Sequence, residues 1–381
     1  MRNITAETGA ELCVAQLIGS FGGGGAQRLA YNLATGMAQR GMRSLGIALR
    51  AAGNYAEGAQ GCHLLALQAE PQKPLSVLRA FFALRRLIRD EHIDLIHVHG
   101  APSLPFVVCA TRFMRHNPKL VFTWQDSESV LDKRGISRRL MIWAMHRCDA
   151  VSGSSRLVAR KLTERAGLND VGVFHGGVPL LKAPEFKSTT NPLILWLGRV
   201  VPPKDPQILI RAAARLRDEG FRFKVCIAGK PIPSTVWYMD ETRDLIRKLR
   251  LGDIVSAPGF VSDADLHDIM SRAEISVQTS HTEGMSIALM EHMMAGISIV
   301  ATDVGDTSMA ITDGKTGFLI PPKNEELLTN ALRKMLSSPE QRMRFAIAGR
   351  KAAEKQFSVE AMVSRAASQY AALTASVQGK P

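Results

Sequence analysis

The sequence predicts two doubly wound α/β domains in tandem, and three observations carry that expectation. Short apolar runs of strand length alternate with amphipathic runs of helix length along most of the chain. The alternation breaks once, over residues 178–192, where Pro179, Pro184 and Pro192 stand among Lys, Ser and Thr, and then restarts. The length, 381 residues, exceeds one ordinary core and suits two.

The elements follow in order. Residues 12–18 read as a buried strand, 22–25 as a glycine loop, and 26–40 as a helix with Leu29, Leu33 and Met37 on one face. Strands at 44–49, 95–99 and 120–123 alternate with helices at 76–90 and 104–115. A helix at 138–147 and short strands at 150–152 and 171–174 complete the first half. After the break come strands at 193–197, 223–228, 254–258, 275–278 and 299–302, with helices at 206–219, 239–249, 263–272, 285–295 and 325–336. A last helix at 359–376 carries Met362, Ala366, Tyr370 and Leu373 as a docking face and is expected to cross back to the first domain. The expected domains are residues 1–182 with 358–381, and 183–357, facing each other across a cleft at the carboxyl ends of two parallel sheets.

Composition excludes several classes. Nearly half the residues are apolar with no low-complexity tract, which argues against disorder. No apolar run approaches the roughly 20 residues that span a bilayer. The N-terminus lacks the basic-then-apolar pattern of a secretory signal, so cytoplasmic residence is expected. The five cysteines are scattered, without metal or redox spacing, and read as buried thiols. The net charge of +13 is uneven: residues 1–185 hold 23 basic against 14 acidic residues, and the rest hold 25 against 21. The first half therefore favours anionic partners.

The chemistry concentrates in the second half. SHTEGMSIALMEHMMA, residues 280–295, places Glu283 after a strand, Gly284 at a turn and Glu291 along the next helix. Free amides of Gly284, Met285, Ser286 and Ile287 lie between the carboxylates, and a helix N-terminus suits phosphate. LGRVVPPKD, residues 197–205, sets Arg199 and Lys204 after Gly198 in another post-strand loop, two cations able to neutralise a diphosphate.

These motifs together resemble glycosyltransferase family 4, the retaining enzymes of GT-B fold, over nearly the whole chain. Glu283 and Glu291 match its two spaced glutamates, and Arg199 and Lys204 its Gly-Arg…Lys loop. Gly23, Gly24 and Arg28 fall in its N-terminal glycine segment, DLIHVHG at 94–100 matches its acidic-Ile-His strand, and Gly305, Gly314 and Gly317 follow its later pattern. The resemblance implies a hexosyltransferase in which Arg199 and Lys204 bind the donor diphosphate and Glu291 the ribose. Glu283, with the Met285 and Ser286 amides, would hold sugar and phosphate, and the base would stack near Gly259, Phe260 and Val261. It implies neither metal nor cofactor. The donor would be a UDP- or GDP-linked sugar and the acceptor a glycan or lipid, in cell-surface polysaccharide or glycolipid synthesis.

There are departures. Gln125, in TWQD, stands where the family places a histidine; it can hydrogen-bond a hydroxyl but cannot become cationic. Gly176-Gly177-Val178-Pro179 and Gly229-Lys230-Pro231-Ile232 replace two further family segments. A catalytically weak sugar-nucleotide-binding protein and another GT-B enzyme, such as a sugar-nucleotide epimerase, stay open as alternatives.

The remaining signals are weaker. The 22–25 glycines fail the dinucleotide fingerprint. His97 and His99 share one strand face; His99, at the strand end, is the acceptor-side candidate and His97 reads as core. Asp263 and Asp265 sit where a helix cap belongs. Two basic amphipathic stretches, 76–90 and 133–146, with Arg85, Arg86, Arg138 and Arg139, point to peripheral contact with the anionic inner face of a membrane and not to nucleic acid.

Overall fold

A computed structural model describes residues 12–22, 25–51, 53, 61–125, 131, 135–181 and 189–378. The chain divides into two compact units, Met1–Gly177 with Val359–Pro381, and Val178–Ser358. The first division falls five residues before the expected boundary at 182, because Val178 pairs with Ser358 and its amide bonds the Phe357 carbonyl at 2.8 Å inside the second unit.

Unit 1 contains β1 (Cys13–Ile18), α1 (Gly25–Ala38), β2 (Arg43–Ala48), β3 (His63–Ala66), α2 (Pro74–Asp90), β4 (Leu95–His99) and α3 (Leu104–Thr111). It continues with β5 (Lys119–Trp124), α4 (Ile136–Met145), β6 (Ala150–Gly153), α5 (Arg156–Ala166) and β7 (Val171–Val173). Its seven strands run in the order β3-β2-β1-β4-β5-β6-β7, all parallel. Unit 2 contains β8 (Leu193–Leu197), α6 (Pro206–Asp218), β9 (Lys224–Ala228), α7 (Val236–Lys248), β10 (Val255–Gly259), α8 (Asp263–Arg272) and β11 (Ala273–Gln278). Then follow α9 (Ile287–Met294), β12 (Ser298–Thr302), α10 (Thr307–Ala310), β13 (Gly317–Ile320), α11 (Glu325–Ser337) and α12 (Pro339–Phe357). Its six parallel strands run β10-β9-β8-β11-β12-β13.

Both orders reverse direction once, between β1 and β4 and between β8 and β11. At such a switch the loops leaving two neighbouring strands part to opposite faces and leave a crevice at their carboxyl ends. The last helix, α13 (Val359–Gln378), packs on α1 within unit 1, and Met362, Val363, Ala366 and Tyr370 are buried with Leu29, Leu33 and Met37. Each fully buried aliphatic or aromatic side chain of this kind contributes roughly 1.5–3 kcal/mol.

The sequence pattern misses β3, α5, α10, β13 and α12. β3 and β13 have four residues each, too few for periodicity. α12 buries Ala346, Gly349 and Ala353 along with Phe345 and Phe357, a face of small residues with little apolar contrast. α5 carried readable signals, a Ser155 cap and a left-handed Gly167 after its end.

Candidate functional site at the strand ends of unit 2

The β8/β11 switch is built around one carboxylate. Glu283 Oε1 is contacted by Lys204 Nζ and accepts from Gln278 Nε2 at 3.2 Å and Ser280 Oγ at 2.9 Å. Lys204 reaches it from a 3-10 turn, Pro202–Lys204, that follows β8. The turn is fastened to β11: the Thr279 hydroxyl donates to the Lys204 carbonyl at 2.8 Å and accepts from Trp196 Nε1 at 2.9 Å. Asp205 closes the turn at φ 41°, caps α6 by accepting from the Ile208 amide at 3.3 Å, and pairs with His281 Nε2 at 3.0 Å. Most of the buried polar groups here thus have a partner, as burial requires; Gln278 Oε1 is buried without one among the described residues.

Burial pushes the Lys204 ammonium down to about 8, and nearby Arg199 adds to the shift. Arg199 itself is exposed and makes no ion pair among the described residues. A cation held beside a carboxylate, with a second cation free, can exchange its partner for an arriving diphosphate.

The helix after Glu283 begins later than the pattern suggests. Its first residue is Ile287, and Ser286 is the N-cap, accepting from the Leu289 amide at 3.3 Å. Gly284 and Met285 therefore belong to the loop, which the β12–α10 connection supports: the Asp306 amide bonds the Gly284 carbonyl at 3.0 Å. A Cβ on Gly305, at φ 59°, would lie 2.1 Å from the Glu283 carbonyl oxygen, so only glycine fits. Glu291 is half-buried on α9.

Along the other strand ends, Gly198, Gly229 and Gly259 form a backbone ladder. The Gly198 amide bonds the Ala228 carbonyl at 3.1 Å and the Gly229 amide bonds that of Gly259 at 2.8 Å. A Cβ on Gly229 would meet the Gly198 oxygen at 1.8 Å. Phe260, beside this ladder, is exposed with Lys230 Nζ 5.4 Å from its ring centroid, and Val261 packs inward. At α8 the cap is Ser262, which accepts from the Asp265 amide at 3.2 Å; the capping role expected of the Asp263 and Asp265 pair falls to it.

At the corresponding switch in unit 1 the strand residues Gln16, His97 and His99 carry no fixed charge, while the Arg50 guanidinium lies beside Gly19 just after β1. His99 is fully buried, which corrects its expected place as an open strand-end residue: β1 lies beside it, and His99 Nε2 bonds Gln16 Oε1 at 2.9 Å. His97 is held between Tyr370 OH at 2.5 Å and Thr123 Oγ1 at 2.8 Å. Burial drives the His99 imidazole down to about 3, and His97 well below its ordinary value with His99 adding to the effect. His99 Nδ1 and Gln125 Nε2 are buried without a hydrogen-bond partner among the described residues. Gly23 and Gly24 lie outside the described residues.

Of the residues singled out from sequence, Lys204 and Glu283 are in contact, with Arg199 near Lys204. Gln278, Thr279, Ser280, Trp196 and Asp205 were missed. For the first three the signal was a polar run, Gln278-Thr279-Ser280, closing an alternating strand.

Comparisons with known proteins agree with the fold and motifs. Residues 177–352 match the model of glycosyl transferases group 1, and residues 23–181 match glycosyltransferase family 4. The chain belongs to the family 4 glycosyltransferases. It is 33% identical over 182 residues to a D-inositol 3-phosphate glycosyltransferase of Gordonia bronchialis, covering 45% of this chain and 39% of that protein. It is 31% identical over 156 residues to an alpha-D-kanosaminyltransferase of Streptomyces kanamyceticus, covering 41% of this chain and 39% of that protein. The chain thus spans about two fifths of the length of these curated relatives. Among solved structures, Anabaena Alr3699/HepE in complex with UDP superimposes with a TM-score of 0.77 at 19% identity, covering 95% of this chain and all of that one. A glycosyltransferase from Rickettsia africae gives 0.77 at 17%, covering 97% of this chain and 100% of that one. The fold is GT-B.

Proposed function

We propose that the chain is a retaining glycosyltransferase that moves a sugar from a nucleoside diphosphate to a hydroxyl of a glycan or lipid-linked acceptor. The setting is cell-surface polysaccharide or glycolipid assembly at the cytoplasmic face of a membrane. The observation that carries this reading is the Lys204–Glu283 contact at the unit 2 switch, with Arg199 exposed beside it. Solved structures of the same fold hold UDP, and UDP with glucose, which favours a uridine donor.

In this reading unit 2 takes the donor and unit 1 the acceptor. Lys204 and Arg199 meet the diphosphate, the amides at the start of α9 add partial positive charge, and Glu291 takes the ribose. As the bond from anomeric carbon to phosphate oxygen breaks, negative charge grows on the diphosphate. Fixed cations there stabilise the transition state more than the ground state. The acceptor oxygen attacks from the same face, its proton passes to the leaving phosphate oxygen, and no metal or cofactor is needed. Glu283, released from Lys204, orients the sugar. Gln125, with an unpartnered buried amide nitrogen, favours a second reading, a weakly catalytic sugar-nucleotide-binding protein.

The test is twofold. UDP- or GDP-sugars should raise the melting temperature, since a ligand of the folded state alone stabilises it. Lys204→Ala and Glu291→Ala should each lower transfer about a hundredfold or more while the variants stay folded. Wild-type turnover in both would overturn the assignment. Donor binding without transfer, restored by Gln125→His, would establish the second reading.

A further inference from the structure

The outer helical layer of unit 1 carries a surface that the donor chemistry does not use. α3 packs beside both α2 and α4, and the inner faces of all three enter one core cluster. Leu84 and Ile88 of α2 lie in that core. A second apolar stripe, Leu75, Leu78 and Phe82, at i, i+3 and i+7, is more than half exposed on the opposite side. Next to it Phe113 is 83% exposed, and on α4 Ile136 is 83% exposed with Leu140 also outward. Phe113 sits at φ 60° in the left-handed region, which a bulky residue seldom occupies. The turn after α3 therefore points an aromatic ring into solvent at a cost in backbone strain.

The charges of this layer are nearly all of one sign. Residues 74–90, 101–118 and 135–148 contain nine arginines and one acidic residue, Asp90. Some of these arginines are structural, which corrects the sequence expectation. Arg85 donates to the Ala110 and Arg112 carbonyls at 2.8 and 3.0 Å, and Arg138 to the Leu131 and Arg165 carbonyls at 3.2 and 2.8 Å. Arg86 and Arg89 share Asp90. Lys133 and Arg134 lie outside the described residues. Five others, Arg79, Arg112, Arg115, Arg139 and Arg147, have no carboxylate partner among the described residues. Arg112 and Arg147 instead lie over the rings of Phe113 and Trp143, at 4.6 and 4.3 Å from the centroids.

We infer that the outer faces of α2, α3 and α4 form a docking surface for an anionic lipid bilayer. Phe82, Phe113 and the leucines enter the boundary between headgroups and acyl chains, while the unpaired guanidiniums take lipid phosphates. The charge complementarity selects a bilayer carrying negative headgroups. The inference deepens the membrane part of the proposed function and names the residues that make the contact.

Cosedimentation of the full chain with vesicles tests it. With equal parts phosphatidylglycerol and phosphatidylcholine, binding should exceed that to phosphatidylcholine alone at least tenfold and weaken with salt. The triple variant Arg79→Glu, Arg115→Glu, Arg139→Glu should lose at least tenfold, and Phe82→Ser with Phe113→Ser severalfold, both keeping the UDP-induced thermal shift. Wild-type chain that ignores the anionic vesicles, or variants that bind undiminished, would overturn the surface. Binding to polyglutamate in place of vesicles would overturn it too, reassigning the face to an acidic protein. A UDP shift without vesicle binding would sink the docking surface and leave the donor reading standing; vesicle binding without a UDP shift would do the reverse.

Discussion

The two units share a topology and differ in what occupies its switch point. In unit 2, Lys204, Glu283 and Arg199 gather charge where β8 and β11 part, and hydrogen bonds from β11 side chains hold it in place. In unit 1, Gln16, His97 and His99 fill the same place between β1 and β4 with neutral groups, all fully buried. One strand order therefore carries a charged cluster in one unit and a buried neutral network in the other. A charged ligand needs fixed opposite charges near water, whereas an uncharged hydroxyl can be met by imidazole or amide nitrogen in a dry site.

Acid should separate the units most strongly. Folding depresses the pKa of His99 from the usual 6.5 to about 3 by burial, so between those values the unfolded chain binds more protons. Its stabilising contribution is complete above the unfolded value and is lost as pH falls toward the folded one. At pH 5 the loss is about 2 kcal/mol for His99, and His97, also held well below its ordinary value by burial, acts in the same direction. Among the described residues of unit 2 the comparable imidazole is His292, lowered to about 4 by burial. Hydrogen exchange at pH 5 should show β4 and β5 opening before β8 and β11, and His99→Gln should shrink the difference. Equal opening of both sheets would break the contrast.

Donor affinity should respond to the opposite end of the pH scale. With Lys204 lowered to about 8, UDP binding measured by calorimetry should be flat below that value. Above it, binding should weaken by up to about tenfold per unit as the free ammonium loses its proton. Lys204→Arg, which keeps its charge, should remove the dependence. A profile that stays flat to pH 9.5 in the wild-type chain would remove Lys204 from the diphosphate.

Much of this contrast was legible in sequence, for unequal reasons. Glu283, Arg199 and Lys204 could be read because charge at the end of an apolar strand has few structural uses. The start of α9 was misjudged by two residues, since Met285 and Ser286 fit a helical pattern, whereas Ser286 is the N-cap and Gly305 holds the loop before it. His99 was misplaced because alternation tells which face a residue is on, not which helix covers that face. Tyr370, whose hydroxyl lies between His97 and Gln16, arrives from α13, more than 250 residues further along the chain. The exposed stripe of α2 was missed for another reason: the helix has one pronounced apolar face, that of Ala80, Leu84 and Ile88, and Leu75, Leu78 and Phe82 stand outside it.

The finest comparison sets one threonine against another. Thr279 in unit 2 accepts from the buried Trp196 indole and donates to the Lys204 carbonyl; Thr123 in unit 1 bonds the buried His97 ring. Replacing either hydroxyl by a methyl leaves a buried ring nitrogen without a partner, so Thr279→Val and Thr123→Val should each cost about 1–3 kcal/mol of stability. Only Thr279→Val should also weaken UDP binding, by about threefold to tenfold, because only there does the hydroxyl fasten the loop that aims the ammonium. Thr279→Ser, which keeps the hydroxyl, should recover most of the affinity. If Thr279→Val loses stability yet binds UDP as tightly as the wild-type chain, the bond is a piece of the core like its counterpart, and the cationic turn is held by Asp205 and the Glu283 contact instead.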